Sequence, residues 1–222
     1  AMTIQVKICG INSVESADAA VRAGADFAGL IFQRASHRYV GLERASAIAR
    51  HLRGRIRLVA LMVDPSDEEV GAVARDVAPD FLQLHGREMP ARVGDLVSRF
   101  HIPAIKAFGI AEASDLANVS AYNDVAEMFL FDAKPPANAV TPGGHGVAFD
   151  WQLLRNASVA RPWLLAGGLR PENVSRAIRT SGAPGVDVCS GVESAPGVKD
   201  LARVAAFVEA ARSAHSAEET QT

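Results

Sequence analysis

The chain has 222 residues, of which 49% are apolar and 22% are charged, and its formal net charge is -2 at pH 7. This balance is typical of a globular enzyme and excludes a basic nucleic-acid-binding surface, and the length fits one large domain. No segment approaches the roughly 18 consecutive apolar residues of a membrane span, so we expect no membrane partner.

The chain has two cysteines, Cys9 and Cys189. They are too few for a disulfide framework and lack the spacing of a metal site, which fits a reducing compartment. The beginning of the chain also lacks the basic region and apolar core of a secretory signal. We therefore expect a cytoplasmic protein that needs no metal, and a disulfide between the two thiols is the less favoured alternative.

Eight short apolar runs alternate with helical patterns along the chain. Repeated β-α units predict a parallel sheet, and eight of them in about 210 residues favour a single closed (β/α)8 TIM barrel over an open doubly wound sheet. We predict that this barrel covers residues 3–212 and that residues 213–222 form a polar, disordered tail. The runs are Ile4 to Cys9, Phe27 to Phe32, Arg57 to Val63, Phe81 to Leu84, Ile102 to Phe108, Met128 to Asp132, Trp163 to Ala166, and Val186 to Cys189.

Capping signals lie where the alternation requires helices to begin. Ser13 is predicted to cap the first helix, and Ser66 with Glu69 is predicted to form a capping box before the third. Ser190 with Glu193 has the same spacing after the eighth strand. This last pair predicts an extra short helix whose N-terminal amides would favour an anion.

Ionisable side chains lie at the ends of several predicted strands, namely Lys7, Lys106, Asp132 and Asp187. Parallel α/β folds bind ligands beyond the carboxyl ends of their strands. A charged side chain inside a barrel is costly unless it is paired or exposed at the rim. We therefore expect these four residues to line a polar pocket.

Two interpretations of Cys9 fit the sequence. An unpaired thiol in an apolar strand is commonly a packed core residue. Lys7, however, lies two residues earlier on the same face, and a nearby cation lowers a thiol pKa from about 8.5 toward neutrality. Cys9 would then be available as a thiolate base or nucleophile. Cys189 is interpreted as a small packing residue of the eighth strand.

Asp132 also has two interpretations. It could accept backbone hydrogen bonds at the start of a loop, or, if partly desolvated, it could hold a proton and act as a general acid. His85 shares a strand face with Gln83. It is predicted to be an orienting hydrogen-bond donor rather than a metal ligand, because no second histidine stands at ligand spacing.

Three glycine-rich segments are candidates for binding an anion. Glycine lets the backbone come close to a ligand, and barrels often bind phosphate with the loops after the seventh and eighth strands. The absence of a Walker pattern and of G-x-G-x-x-G after the first strand disfavours nucleotide binding. The candidate phosphate-binding residues are Gly143, Gly144, Gly146, Gly167, Gly168, Ser190 and Gly191.

Arg38 lies in the loop after the second predicted strand. An arginine in this position is either simply solvated or placed to bind a substrate carboxylate with its planar fork. In the second case, the ligand would be anionic at both ends.

Taken together, these residues resemble the phosphoribosylanthranilate isomerase family of tryptophan biosynthesis. The similarity runs from about Ile4 to Ala211. It rests on Lys7-Ile8-Cys9-Gly10-Ile11, Gly24-Ala25-Asp26, Ser36-His37-Arg38-Tyr39-Val40, Gln83-Leu84-His85-Gly86, Phe149-Asp150-Trp151, Leu165-Ala166-Gly167-Gly168-Leu169-Arg170-Pro171-Glu172-Asn173-Val174 and Val186-Asp187-Val188-Cys189-Ser190-Gly191-Val192-Glu193.

The resemblance implies an Amadori rearrangement of N-(5-phosphoribosyl)anthranilate to 1-(2-carboxyphenylamino)-1-deoxyribulose 5-phosphate, without a metal or organic cofactor. It implies that Asp132 protonates the ribose ring oxygen and that Cys9, as a thiolate, removes the C2′ proton. Arg38 would hold the anthranilate carboxylate, Asp187 would contact the amino group, and the glycine segments would bind the phosphate. The side chains expected to bind substrate are Lys7, Arg38, His85 and Asp187.

The chain departs from the family pattern at three positions. The family commonly has Pro where His37 stands, and its glycine loop commonly has other residues where His145 and Val147 stand. These departures bear on loop mobility and on affinity for phosphate.

Two other functions fit the same barrel. A related phosphoribosyl sugar isomerase of histidine biosynthesis uses two aspartates, whereas Cys9 occupies the first of those positions here, and dual activity stays open. A non-catalytic barrel that senses a phosphorylated metabolite would need neither Cys9 nor Asp132. The presence of both favours the enzyme, with a phosphorylated small molecule as its partner and a monomeric or homodimeric state.

Overall fold

Eight parallel strands, hydrogen-bonded in chain order, close into a barrel. The protein is seen in a computed structural model, in which residues 3–134 and 148–214 are described. The predicted (β/α)8 fold is confirmed, and each apolar run supplies one strand. The strands are β1 (Gln5–Cys9), β2 (Phe27–Ile31), β3 (Arg57–Met62), β4 (Phe81–Leu84), β5 (Ala104–Ile110), β6 (Met128–Ala133), β7 (Trp163–Leu165) and β8 (Gly185–Val188).

Helices follow most of the strands. Ser13 caps the first helix by accepting a hydrogen bond from the Ser16 amide at 3.1 Å, as predicted. Ser66 and Glu69 form the predicted capping box, with reciprocal hydrogen bonds of 3.2 and 2.8 Å. The helices are α1 (Val14–Arg22), α2 (Leu42–Leu52), α3 (Asp67–Asp76), α4 (Pro90–Phe100), α5 (Gln152–Arg155), α6 (Val174–Ser181) and α7 (Leu201–Arg212).

The expected helix after β5 is replaced by two short 3-10 turns, Ala113–Leu116 and Val119–Tyr122. The Asp115 carboxylate accepts hydrogen bonds from the amides of Ala111 and Glu112 at 2.8 and 3.1 Å. Such local side-chain bonds offer the backbone an alternative to a regular helix.

The short helix predicted after β8 is reduced to a single turn, and the predicted capping box of Ser190 and Glu193 does not open it. Only one 3-10 turn forms there, at Ser190–Val192, and the chain then folds into a hairpin of two short antiparallel strands, β9 (Glu193–Ala195) and β10 (Val198–Lys199). Gly197 supplies the positive φ of +79° that the hairpin turn needs. Glu193 caps no helix, because its carboxylate is bound by distant cations described below.

The lower part of the barrel interior is filled with apolar side chains. Phe27 begins β2 and lies in the lower layer, whereas Ile31 ends β2 and lies in an upper layer with Cys9 and Leu61. We call the end of the barrel where the carboxyl ends of the strands lie the mouth. Because the interior below is filled, a ligand can enter only at the mouth. The lower layer consists of Phe27, Val59, Ile105, Ala107, Met128, Leu130, Leu164 and Ala166.

The last described helix, α7, ends at Arg212. Ala214, the second residue of the predicted tail, is buried, and residues 215–222 lie outside the described part of the chain. Among the described residues, no helix is both long enough and apolar enough to cross a membrane.

Lys106 does not line the mouth, contrary to expectation. Its neighbours Ile105 and Ala107 face the barrel interior, so the alternation of the strand turns Lys106 outward, between barrel and loops. There its Nζ donates to the Glu88 carboxylate at 2.8 Å and to the carbonyl of Gly86 at 2.9 Å. The buried pair therefore fixes the loop after β4, which carries His85.

We expect Lys106→Met to lower the free energy of unfolding by about 3 to 5 kcal/mol, because it leaves the buried Glu88 carboxylate without its cation. Urea unfolding followed by circular dichroism measures this change. Lys134→Met is the matched control, since Lys134 pairs with Asp115 at the surface and should change stability by less than about 1 kcal/mol. Equal, small effects of the two substitutions would contradict a structural role for the buried pair.

Candidate active site

Polar side chains from four strands meet at the mouth. Cys9 ends β1, Asp132 is the fifth residue of β6, His85 follows β4, and Asp187 lies in β8. All four side chains are buried or half-buried, and each one comes at the end of an apolar strand. The carboxyl ends of parallel strands lie on the same rim, so the fold brings these predicted residues around one opening.

Lys7 and Asp187 are register partners on the neighbouring strands β1 and β8, and their side chains form a salt bridge of 2.9 Å. Burial alone would lower the pKa of Lys7, but the Asp187 carboxylate and the neighbouring Cys9 sulfur together outweigh burial and raise it. Lys7 is therefore a fixed positive charge beneath the mouth, and its partner carboxylate is held in a single orientation.

The Asp132 carboxyl group faces His85 across the opening. Its Oδ1 accepts a hydrogen bond from the Ala133 amide at 2.8 Å, and its Oδ2 lies 3.5 Å from Nε2 of His85. The side-chain amide nitrogen of Gln83 lies 3.0 Å from Nδ1 of His85. When the Gln83 amide donates to Nδ1, the imidazole proton of His85 is on Nε2 and points at the Asp132 carboxyl group. Both interpretations of Asp132 are thus compatible with its surroundings.

Arg38 reaches the mouth from the loop after β2, but its guanidinium is already engaged. Its Nε and one terminal nitrogen donate to the two carboxylate oxygens of Glu193 at 2.7 and 2.8 Å. Burial would raise the pKa of Glu193, but Arg38 and the nearby Lys199 ammonium outweigh burial and lower it. This bidentate pair fixes the plane of the Arg38 guanidinium and leaves the other N–H groups of Arg38 to bind a second anion.

The glycine segments after β7 and β8 lie against each other. A Cβ on Gly191 would overlap the carbonyl oxygen of Leu169, so only glycine allows the two loops to approach this closely. The Asn173 side chain closes the first loop by donating to the Gly168 carbonyl at 2.9 Å. A Cβ on Gly167 would lie 2.9 Å from Oδ1 of Asp132, which places this loop beside the proposed acid.

Part of the predicted phosphate site lies outside the described residues. It comprises Gly143, Gly144 and Gly146, together with the departures His145 and Val147. Among the described residues, no group of three or more potential metal ligands occurs.

The thiol of Cys9 does not have the lowered pKa expected from Lys7. A hydrogen bond with Cys189 and burial both raise the pKa of Cys9, and together they outweigh the lowering effect of the Lys7 charge. Lys7 is in addition paired with Asp187, which reduces its effect on the thiol. The expectation that Lys7 brings the pKa of Cys9 toward neutrality is therefore wrong.

Sequence reasoning missed how Glu193 and Lys199 contribute to the mouth. Cys189 packs against the apolar cluster that contains Cys9, as expected of a small packing residue, and Lys199 donates hydrogen bonds to the Cys189 carbonyl at 2.9 Å and to the Glu193 carboxylate at 3.0 Å. The Pro196-Gly197 dipeptide is a turn signal that could have indicated a hairpin here. A hairpin would have returned Lys199 toward Glu193.

Comparison with known proteins identifies the family. The family model for N-(5'phosphoribosyl)anthranilate (PRA) isomerase matches residues 6–210. The N-(5'-phosphoribosyl)anthranilate isomerase of Rhodopseudomonas palustris strain BisA53 is 50% identical over 211 residues, covering 95% of this chain and 97% of the relative.

Solved structures agree with this match. The crystal structure of phosphoribosyl anthranilate isomerase from Thermotoga maritima aligns with a TM-score of 0.84 and 35% identity, over 94% of this chain and 98% of that one. A phosphoribosyl anthranilate isomerase in complex with reduced 1-(o-carboxyphenylamino)-1-deoxyribulose 5-phosphate aligns with a TM-score of 0.80 and 34% identity, over the same shares of the two chains. The chain therefore belongs to the N-(5'-phosphoribosyl)anthranilate isomerase family.

Proposed function

We propose that Asp132 and Cys9 perform the isomerisation as general acid and general base. Asp132 donates its proton to the ribose ring oxygen, which opens the furanose and leaves a protonated imine at C1′. Cys9, as a thiolate, removes the proton from C2′, and the resulting enolamine tautomerises to the ketone. The reaction needs two positioned proton-transfer groups on one sugar.

The activity itself follows from membership of the family. The chain is an isomerase of tryptophan biosynthesis that converts an aldose derivative to a ketose derivative by an Amadori rearrangement, and its substrate is a phosphorylated small molecule. The assignment of roles to individual residues is the proposal.

One observation carries this assignment. Cys9 and Asp132 lie at the carboxyl ends of β1 and β6, with β7 and β8 between them in the closed barrel. A pentose at the mouth would therefore have a thiol on one side and a carboxyl group on the other. General acid–base catalysis requires each group to be within hydrogen-bond reach of the proton it transfers, and the position of both groups on one rim supports this assignment.

The other side chains of the mouth would orient the substrate. The free N–H groups of Arg38 bind the anthranilate carboxylate, and Asp187, held by Lys7, accepts a hydrogen bond from the amino group. His85 donates from Nε2 toward the ring oxygen and Asp132. These contacts supply positioning, which lowers the entropic part of the barrier.

Phosphate would bind to the loops after β7 and β8, with Gly167, Gly168, Ser190 and Gly191, and to Gly143, Gly144 and Gly146. Closely packed glycine loops at the top of a barrel present backbone N–H groups to an anion. Because the described site residues all belong to one barrel, a single chain would be active as a monomer or within a homodimer. We place the enzyme in the cytoplasm, where both free thiols stay reduced.

The experiment that tests the function generates the unstable substrate in place from anthranilate and phosphoribosyl pyrophosphate with the upstream transferase. We expect the loss of anthranilate-type fluorescence to depend on this protein. A reduced product analogue that carries the phosphate should inhibit, because the loops bind that group, whereas its dephosphorylated form should not. Equal inhibition by both analogues would overturn the phosphate site, and absence of turnover would overturn the function.

A further inference from the structure

The two thiols of the chain meet at the mouth, although they are far apart in sequence. Cys9 ends β1, Cys189 follows β8, and both belong to one small apolar cluster. Gly10, with a φ of +76°, turns the chain just after Cys9, and a Cβ there would lie 3.0 Å from Sγ of Cys189. The interaction between the two thiols raises the pKa of Cys9 and lowers the pKa of Cys189.

The charges around Cys189 favour a negative charge on its sulfur. Nζ of Lys199 donates to this sulfur at 3.7 Å, and a Cβ on Gly10 would touch Cδ of Arg38, Sγ of Cys189 and Nζ of Lys199. The Glu193 carboxylate opposes that charge, because its Oε1 lies 4.0 Å from the sulfur and accepts a hydrogen bond from the Cys189 thiol when the thiol is protonated. Two cations and one carboxylate therefore face Cys189, which leaves an excess of one positive charge.

The charges around Cys9 balance instead. On its own strand Lys7 is close by, and on the neighbouring strand β8 the Asp187 carboxylate neutralises that ammonium at 2.9 Å. Cys9 is otherwise enclosed by apolar side chains, including Ile31 and Leu61. An apolar site without net positive charge favours the neutral thiol.

We propose that Cys189 carries the negative charge of the thiol pair in the free enzyme, and that it accepts the proton of Cys9 when substrate binds, which turns Cys9 into the base. This inference rests on the proposed function, in which the Cys9 thiolate removes the C2′ proton. Cys189 is a positioning residue, because it acts through Cys9 and needs no contact with the sugar.

The pKa values of the two groups agree with this assignment. The hydrogen bond from Cys9 lowers the pKa of Cys189, burial opposes it, and the Lys199 and Arg38 charges lower it further, to about 7. The same hydrogen bond raises the pKa of Cys9. Above that pKa the pair keeps a single proton, which resides on Cys9.

Substrate binding supplies the reason for the proton to move. The anthranilate carboxylate bound at Arg38 adds a negative charge close to Cys189, which increases the proton affinity of that sulfur. The S–H bond of Cys9 breaks, its proton bonds to the Cys189 sulfur, and the electron pair stays on Cys9. A base is thus formed only when the substrate is in place.

The proton count closes over one turnover. Cys9, after the transfer, takes the C2′ proton, so both thiols are then protonated, and Asp132 has lost its proton to the ring oxygen. One proton returns from the thiol pair to Asp132 through solvent, which restores the starting state. The step needs no oxidant and no further reactant.

Thiolate absorbance in the ultraviolet tests the location of the charge, because the chain contains only two cysteines. The probes are the wild type, Cys9→Ser, Cys189→Ser and the double variant, which supplies the baseline. We expect a neutral-pH thiolate in the wild type and in Cys9→Ser, whose hydroxyl still donates to the Cys189 sulfur. We expect Cys189→Ser to lose it. The reverse pattern, with the thiolate kept in Cys189→Ser and lost in Cys9→Ser, would overturn the proposal.

The pH dependence of kcat/KM separates a role in proton transfer from a role in packing. In Cys189→Ser the acid limb should move to higher pH, because Cys9 must then lose its proton unaided, while activity recovers at alkaline pH. An unmoved acid limb would contradict the proposal. If Cys9→Ser is inactive and Cys189→Ser has an unchanged profile, only this inference fails, whereas normal turnover of Cys9→Ser would remove the proposed base itself.

Discussion

Asp132→Asn should lower kcat by about a hundredfold or more, because an amide is far too weak an acid to protonate the ring oxygen. The asparagine can keep the hydrogen bond from the Ala133 amide, so the fold and KM should change little. Steady-state kinetics with substrate generated in place measure the effect. A substrate that carries deuterium at C2′ shows which step has become slow. Slow ring opening would hide the isotope effect on the later removal of the C2′ proton.

Asp26→Asn is the matched control for this substitution. Asp26 precedes β2 at the other end of the barrel, where its carboxylate accepts a hydrogen bond from the Val6 amide at 2.7 Å. It should affect stability and leave kcat nearly unchanged. Turnover of Asp132→Asn close to that of the wild type, or an enlarged isotope effect at C2′, would remove Asp132 as the acid.

Cys9→Ser should also lower kcat by about a hundredfold or more, since an alcohol does not ionise near neutral pH and is a poor base. Serine has nearly the shape of cysteine and fits between Ile31 and Leu61, so the variant should fold. Removal of the C2′ proton then becomes the slowest step. The deuterium isotope effect at C2′ should therefore grow, which is the opposite of the result expected for Asp132→Asn.

The opposite isotope effects expected for Cys9→Ser and Asp132→Asn make each variant a control for the other. Equal isotope effects in Cys9→Ser and Asp132→Asn would contradict the division into acid and base, even if both variants were slow. Unfolding midpoints close to that of the wild type are needed in each case, because a loss of folded protein lowers apparent kcat without affecting the isotope effect.

Much of the fold was predictable because local patterns and topology agree. The apolar runs that form β1 and β6 also set the positions of Cys9 and Asp132, since the strand end decides where each side chain emerges. The carboxyl end of a parallel sheet then brings the residues together without any knowledge of their contacts.

Other features depend on information that a local pattern does not contain. Both faces of a parallel barrel strand are buried, so alternation alone does not say which face Lys106 occupies. Glu193 and Lys199 acquire their roles from contacts with Arg38 and Cys189, which lie in other elements. The capping-box spacing at Ser190 was overridden by the stronger attraction between Glu193 and two cations.

The hairpin of β9 and β10 has a consequence for how such an enzyme can change. One carboxylate, that of Glu193, ties the guanidinium that would recognise the aromatic acid to the ammonium that faces the thiol pair. Under the proposed roles of Arg38 and Cys189, substrate selectivity and formation of the base are coupled through Glu193. Evolution or design could reshape this hairpin to accept a sugar phosphate that lacks an aromatic carboxylate. The enzyme would then also need a new way to create the thiolate.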